Sequence, residues 1–249
     1  MFVSGSSNHS KNKNPRTMAS PSIIQKAANN FRKICESKIR KPISGYKAGG
    51  TGLALLKKFR EKEPFYASVY KHNTCKNNTI VKKNKYILGI ELEVFFLIKK
   101  KFFDLNKKIQ KKDLNKFISH IGPCIEIVGY RQRKKGIKSF GDLCSDFGGN
   151  VKFILGKLKK FKKNNVKNLS TQIYNNKVNQ YVNGNTNTVY KDPMNALFFV
   201  LKKLQNEKIK NNKNFYVFTG STVGVVPILG NGTYIGKINS LGTVKVRIN

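Results

Sequence analysis

Residues 86–98, YILGIELEVFFLI, constrain this chain more than any other stretch, because an apolar run is interrupted by two glutamates. Its length and its β-branched and aromatic content read as a buried strand. Period two then places Glu91, Glu93, Phe95 and Leu97 on one face and Ile90, Leu92 and Val94 on the other, so neither face is simply polar. Residues 123–130, PCIEIVGY, repeat the situation: Cys124, Glu126 and Val128 share a face, with Ile125 and Ile127 opposite. An ionised carboxylate buried in such company costs several kcal/mol unless it is neutralised, protonated or paired.

Two compensations compete. Lysines are abundant and could neutralise each glutamate separately, which needs neither metal nor chemistry. Against this, carboxylates at i and i+2 project side by side from one strand and repel unless a cation lies between them. A hard divalent ion does this best, and an all-oxygen ligand set selects Mg²⁺ or Mn²⁺ over zinc. His9, His72 and His120 form no ligand pattern. Glu91, Glu93 and Glu126 are therefore the candidate metal ligands.

The charge balance pulls elsewhere. Lys+Arg 49 against Asp+Glu 12 gives +37, which alone points to nucleic acid or an anionic surface. The excess is nearly all Lys, runs from Lys11 to Lys245 and accompanies Asn and Ile rather than Arg-rich or aromatic clusters. A genome biased towards A/T-rich codons gives the same pattern. A dedicated polyanion site is the less favoured reading, because nucleic-acid modules concentrate their charge on one face.

A chain of 249 residues is enough for one domain with a real core. Cys35, Cys75, Cys124 and Cys144 include no C-x-x-C pair, as expected in a reducing compartment. The first twenty residues lack the apolar region of a secretion signal, and the longest apolar run is too short to span a bilayer. A cytoplasmic protein with no membrane span is expected. Residues 1–20, polar and basic, suit a disordered extension or a weak organelle-targeting segment.

Ser22 and Gln25 are spaced as a capping box for a helix whose stripe of Ile24, Ala28, Phe31 and Cys35 is expected to face the core. Residues 41–52, KPISGYKAGGTG, read as a glycine-rich loop holding Lys47. Asp192-Pro193 opens a helix with Met194, Leu197, Phe198, Leu201 and Leu204 on one face. Residues 215–219 read as a strand running into Thr219, Gly220 and Ser221, whose amides and hydroxyls could bind a carboxylate. Val244, Val246 and Ile248 alternate with Lys245 and Arg247, as in a last strand with one buried face.

In order, GYKAGGTG, IELEVFFLI, GPCIEIVGYR, GDLCSDFGGNVKFILG, DPMNALFFVLKKL, FYVFTGS and LGTVKVRI resemble the 2-oxopent-4-enoate (2-hydroxypentadienoate) hydratases. With the 4-oxalocrotonate decarboxylases, these belong to the fumarylacetoacetate-hydrolase-like superfamily. The resemblance covers residues 22–249 and implies an α+β fold, a mixed, rolled and partly barrel-like sheet with flanking helices. It implies one catalytic domain over residues 21–249, with an N-terminal helical part at about 21–80 and a β-roll core at about 81–249. An active site at the mouth would hold Mg²⁺ or Mn²⁺.

On this resemblance the family's E-x-E pair falls on Glu91 and Glu93, and its third ligand on Glu126. Its loop lysine falls on Lys47, its acidic residue before the glycine stretch on Asp146, and its T-G-S turn on Thr219, Gly220 and Ser221. Three departures stand out. The common V-D-S-R reads Val128, Gly129, Tyr130, Arg131; the usual Asp-Asn pair is Asp146-Phe147; and Gly50 replaces a bulkier residue. They leave the three ligands untouched and point to altered specificity.

The implied chemistry is that of a 2-oxo acid chelated by the metal, whose polarised carbonyl stabilises an enolate. A hydratase then adds water across a conjugated double bond, and a decarboxylase releases CO₂ into the same electron sink. Lys47 is the candidate for proton transfer or substrate grip, with a pKa that nearby cations would lower, and Asp146 for orienting it or a water. A homo-oligomer is expected, with a partner decarboxylase or hydratase as a further possibility. The competing readings are a basic nucleic-acid- or ribosome-associated protein on a retired enzyme fold, and a catalytically silent homologue.

Overall fold

In the computed structural model, which describes residues 21–130, 137–162 and 166–249, five helices and two sheets form an α+β protein. The expected basic extension, residues 1–20, lies outside the described residues. The strands are β1 (Ile43–Gly49), β2 (Phe65–Tyr70), β3 (Thr74–Lys76), β4 (Thr79–Val81), β5 (Ile87–Ile98), β6 (Ile118–Gly129) and β7 (Asn150–Leu155). They continue with β8 (Lys159–Lys160), β9 (Ser170–Asn175), β10 (Gln180–Asn185), β11 (Phe215–Ser221), β12 (Val226–Pro227), β13 (Gly232–Ile238) and β14 (Gly242–Ile248). The helices are α1 (Pro21–Lys38), α2 (Leu53–Phe59), α3 (Leu114–Phe117), α4 (Phe140–Ser145) and α5 (Pro193–Asn206).

The large sheet runs β2-β1-β11-β5-β6-β7-β3, with β12 also on β5 and β8 also on β6; the second runs β10-β9-β13-β14-β4. The large sheet curls into a half barrel. Its two longest strands, β5 and β6, have 12 residues each, and each changes neighbour along its length. Register shifts at Ile87/Gly89, Leu97/Ile98, Ile127/Val128 and Phe218/Ser221 add the local twist that bends a sheet. The expected faces of β5 and β6 hold. Ile90, Leu92, Val94, Ile125 and Ile127 join the main core, while Phe95 and Cys124 join a smaller cluster on the other side. Gly236 on β13 lets the second sheet close on this core, since a Cβ there would lie 2.6 Å from Leu92 Cδ1.

Helix α5 starts as expected. The Asp192 carboxylate accepts from Met194 N at 2.9 Å, Pro193 takes the first position, and Leu197, Leu201 and Leu204 are fully buried. Helix α1 differs from expectation. Phe31 is 48% exposed and Arg32 is fully buried, so the inward stripe is not apolar. The guanidinium lies 4.5 Å above the Tyr66 ring and pairs with Glu36, which in turn accepts from Ser68 N, so a paired cation substitutes for a hydrophobe. The part expected to be chiefly helical, residues 21–80, holds α1 and α2 but also sends β1 and β2 into the large sheet. Among the described residues no helix is long and apolar enough to cross a membrane.

Candidate metal centre

The face of the large sheet away from the main core gathers the acids. Lys47 on β1 stands beside Phe218 on β11, and Phe218 beside Phe95 on β5. Further along β5, Glu93 faces Cys124 and Glu91 faces Glu126 on β6. Like charges directly opposite across a ladder destabilise it, and the i, i+2 spacing adds a second repulsion. The three glutamates converge all the same, each offering an oxygen within 4.8 Å of the others. Beneath them Val69, Phe95, Cys124, Phe153 and Phe218 form an apolar bed.

Residues 41–52 are not a loop throughout: Lys47 lies within β1, where it is 2% exposed. Its Nζ donates to Glu126 Oε1 at 2.5 Å and to the Gly148 carbonyl at 3.3 Å. The expectation that separate lysines could satisfy each glutamate fails here. Glu93 Oε2 accepts from the Gly220 amide at 3.0 Å instead, while Glu93 Oε1 and Glu126 Oε2 are buried without a hydrogen-bond partner. A shared proton or a cation is what these two oxygens lack.

Burial, then the facing Glu126, pushes Glu91 up to about 7, against the pull of Lys47. Burial likewise raises Glu93, and raises Glu126 well above the usual carboxylate range. For Lys47, burial pulls downward, but Glu126, Glu93 and Glu91 outweigh it and the net direction is up. The lowering expected for this lysine belongs to a site that holds a metal; with carboxylates alone around it the direction is upward. It is an ammonium at neutral pH.

A cavity of about 630 Å³ opens over this cluster, lined by Lys47, Glu91 and Glu93, with Leu55, Leu143 and Val225 among its apolar walls. Glu126 lies fully buried below. Of the residues expected to bind substrate, Ser221 and Gly220 line the cavity. Ser221 Oγ donates to the Gly224 carbonyl at 2.8 Å, and the Gly220 amide is already given to Glu93. Thr219 is not a cavity residue: it is fully buried and its hydroxyl donates to the Val94 carbonyl at 2.9 Å. It secures the β11 bulge that aims the Gly220 amide. Asp146 is buried at the end of α4, where its carbonyl accepts from Gly149 N at 2.9 Å. It lies outside the cavity lining, in the turn that presents the Gly148 carbonyl to Lys47.

No protein-family model matches the sequence, and no curated protein matches it. Solved structures do. The 4-oxalocrotonate decarboxylase from Pseudomonas putida G7, complexed with magnesium and adipate, aligns at a TM-score of 0.77 and 18% identity, over 94% of this chain and 87% of that one. The same enzyme complexed with calcium and acetate gives 0.74 at 17%, over 92% and 86%. The 5-carboxymethyl-2-hydroxymuconate delta-isomerase from Mycobacterium smegmatis gives 0.59 at 15%, over 83% and 80%. The fold is fumarylacetoacetate-hydrolase-like. At these identities the likeness extends to the fold alone, and a fold does not select a reaction.

Within this fumarylacetoacetate-hydrolase-like fold the sequence departures have local causes. A Cβ at Gly129 would lie 2.2 Å from the Tyr86 carbonyl oxygen, so no side chain fits there. Gly50 has φ +70°, and a Cβ would stand 2.4 Å from the Phe140 ring. Tyr130 lines the cavity, and its phenol is raised by burial, then by Asp146 and Glu91. The sequence signalled this position only as a departure.

The residues fit a divalent cation. All three donors are oxygens, two buried oxygens have no partner, and the three carboxylates, once they shed their protons beside the single Lys47 ammonium, would carry about −2, which one divalent ion balances.

Proposed function

We propose that this chain is a divalent-metal-dependent lyase of small 2-oxo acids, a hydratase of the 2-oxopent-4-enoate type. The convergence of Glu91, Glu93 and Glu126 beside the cavity, with two partnerless buried oxygens, carries the reading. These three residues would hold Mg²⁺ or Mn²⁺. When bound, the ion supplies Lewis-acid polarisation of the adjacent carboxylate and 2-oxo oxygens of the substrate.

The chain's own groups do the rest. Lys47 is the one cationic side chain lining the cavity among the described residues, and its retained proton suits it to grip an anionic substrate or deliver a proton to it. The Gly220 amide holds Glu93 in place. The Tyr130 phenol stays protonated at neutral pH and can donate at the cavity wall. Leu55, Leu143 and Val225 offer the conjugated carbons an apolar surface and limit stray water.

A second reading, decarboxylation of a 4-oxalocrotonate-type substrate, draws on the TM-score of 0.77 to a decarboxylase. It uses the same carboxylates. Self-association, or association with a partner decarboxylase or hydratase, belongs to either reading. The test is an assay with Mg²⁺ or Mn²⁺ on 2-hydroxypentadienoate and on 4-oxalocrotonate, beside a Glu91→Gln, Glu93→Gln variant. Hydration of the first substrate, lost in the variant, is expected. CO₂ release from the second selects decarboxylation, and equal inertness of both proteins overturns both readings.

A further inference from the structure

The second sheet carries a surface that the metal centre does not use. Tyr181 on β10 faces Tyr174 on β9, Tyr174 faces Ile235 on β13, and Ile235 faces Lys245 on β14, so the four form one row across four strands. Lys237 and Arg247, two residues along from Ile235 and Lys245, stand on the same side. That side is fixed outward, because the alternating residues Tyr234, Val244 and Val246 are fully buried. The Tyr174 and Tyr181 rings lie parallel, with planes 7° apart and centroids 6.0 Å apart, and Tyr181 is 53% exposed.

The strands of this sheet carry no acidic residue. Residues 64–90, 147–191 and 208–249 contain no Asp or Glu, and every strand of the second sheet lies within these stretches. Lysine is spread along the whole chain, but the acids are confined to other parts of it. The outer face therefore combines exposed cations with a pair of parallel aromatic rings.

We propose that this face binds single-stranded nucleic acid without strong sequence preference, Tyr174 and Tyr181 stacking on bases while Lys237, Lys245 and Arg247 contact phosphates. Cations alone would suit any polyanion. The tyrosine pair decides for a single strand, because only unpaired bases offer a free face for stacking. This binding is independent of the metal centre and of any turnover there.

The test is fluorescence anisotropy of the full chain with labelled oligo-dT and oligo-U of roughly 15 nucleotides, and with a duplex of equal length, at about 0.15 M salt. Tyr174→Ala, Tyr181→Ala and Lys237→Gln, Lys245→Gln, Arg247→Gln variants run in parallel. Tyr181→Ala alone serves as a milder change, and thermal melts confirm folding. Single strands are expected to bind in preference to duplex, and the double tyrosine variant to bind about tenfold more weakly or worse. The charge variant is expected to flatten the log–log salt slope by roughly 2. Three results would overturn the proposal: no binding, equal binding of duplex with the tyrosine variants unaffected, or a dimer that buries the tyrosines and excludes the oligonucleotide.

Discussion

Lys47 Nζ lies 2.5 Å from Glu126 Oε1, with the two side chains 3% and 0% exposed. One ammonium thus serves a cluster of three carboxylates. Removing it leaves Glu126 buried without its partner, a loss of about 3 kcal/mol or more in typical cases. Lys47→Met is expected to lower Tm by roughly 10 °C in a domain of this size. It is also expected to abolish turnover while tightening Mg²⁺ binding, since a competing positive charge is gone. Thermal melts and titration calorimetry on the same variant check both parts.

Stability should depend on pH in a direction that the raised carboxylates dictate. Glu91 goes from 4.5 to about 7, so the folded state holds its proton more tightly than the unfolded chain does. Its contribution is complete below pH 4.5 and is lost as pH rises through about 7. Lys47, raised above 10.5, does not change charge in this window. The metal-free protein is expected to melt several degrees lower at about pH 8 than at about pH 5, at roughly 2–4 °C for each kcal/mol. Mg²⁺ should raise Tm more at the higher pH, because the ligands must give up protons to bind it.

Restoring the family-like residue at position 129 should fail. A Cβ there would meet the Tyr86 carbonyl oxygen at 2.2 Å, a backbone atom that cannot rotate away. Gly129→Asp is expected to cost at least about 3 kcal/mol, read as loss of soluble protein or a collapse of Tm. Gly50→Ala, which combines φ +70° with a 2.4 Å approach to Phe140, is expected to cost about 2 kcal/mol.

Thr219 and Ser221 should separate in their effects. The Thr219 hydroxyl bonds the buried Val94 carbonyl, so Thr219→Val is expected to lower stability by about 1–2 kcal/mol. Thr219→Ser, which keeps the hydroxyl, should retain most of it. Ser221→Ala, at the cavity wall, is expected to change KM with little change in Tm. Steady-state kinetics beside melting curves distinguish the two.

Much of the site was legible because burial and period two are local. The run at residues 86–98 appears as β5, its acid-bearing face is the one expected, and Asp192-Pro193 caps α5 as its sequence implies. What the sequence hides is long-range. Nothing local says that Glu91 comes to face Glu126, which is a matter of strand register. Nor does it say that a bulge turns the Gly220 amide onto Glu93, or that Thr219 points inward. On α1 the apolar stripe misled because Arg32 finds both Glu36 and the Tyr66 ring, partners supplied partly by a distant strand.

The most direct test of the account is calorimetric titration of the metal-stripped chain with Mn²⁺ at about pH 8, where protons compete less with the ion for the raised carboxylates than at neutral pH. Glu93→Gln and Glu126→Gln variants, checked by thermal melting, are titrated beside it. One ion per chain is expected, with proton release, and an affinity reduced about a hundredfold or more in each folded variant. Absence of binding in the unaltered protein, or binding that neither substitution weakens, would contradict it.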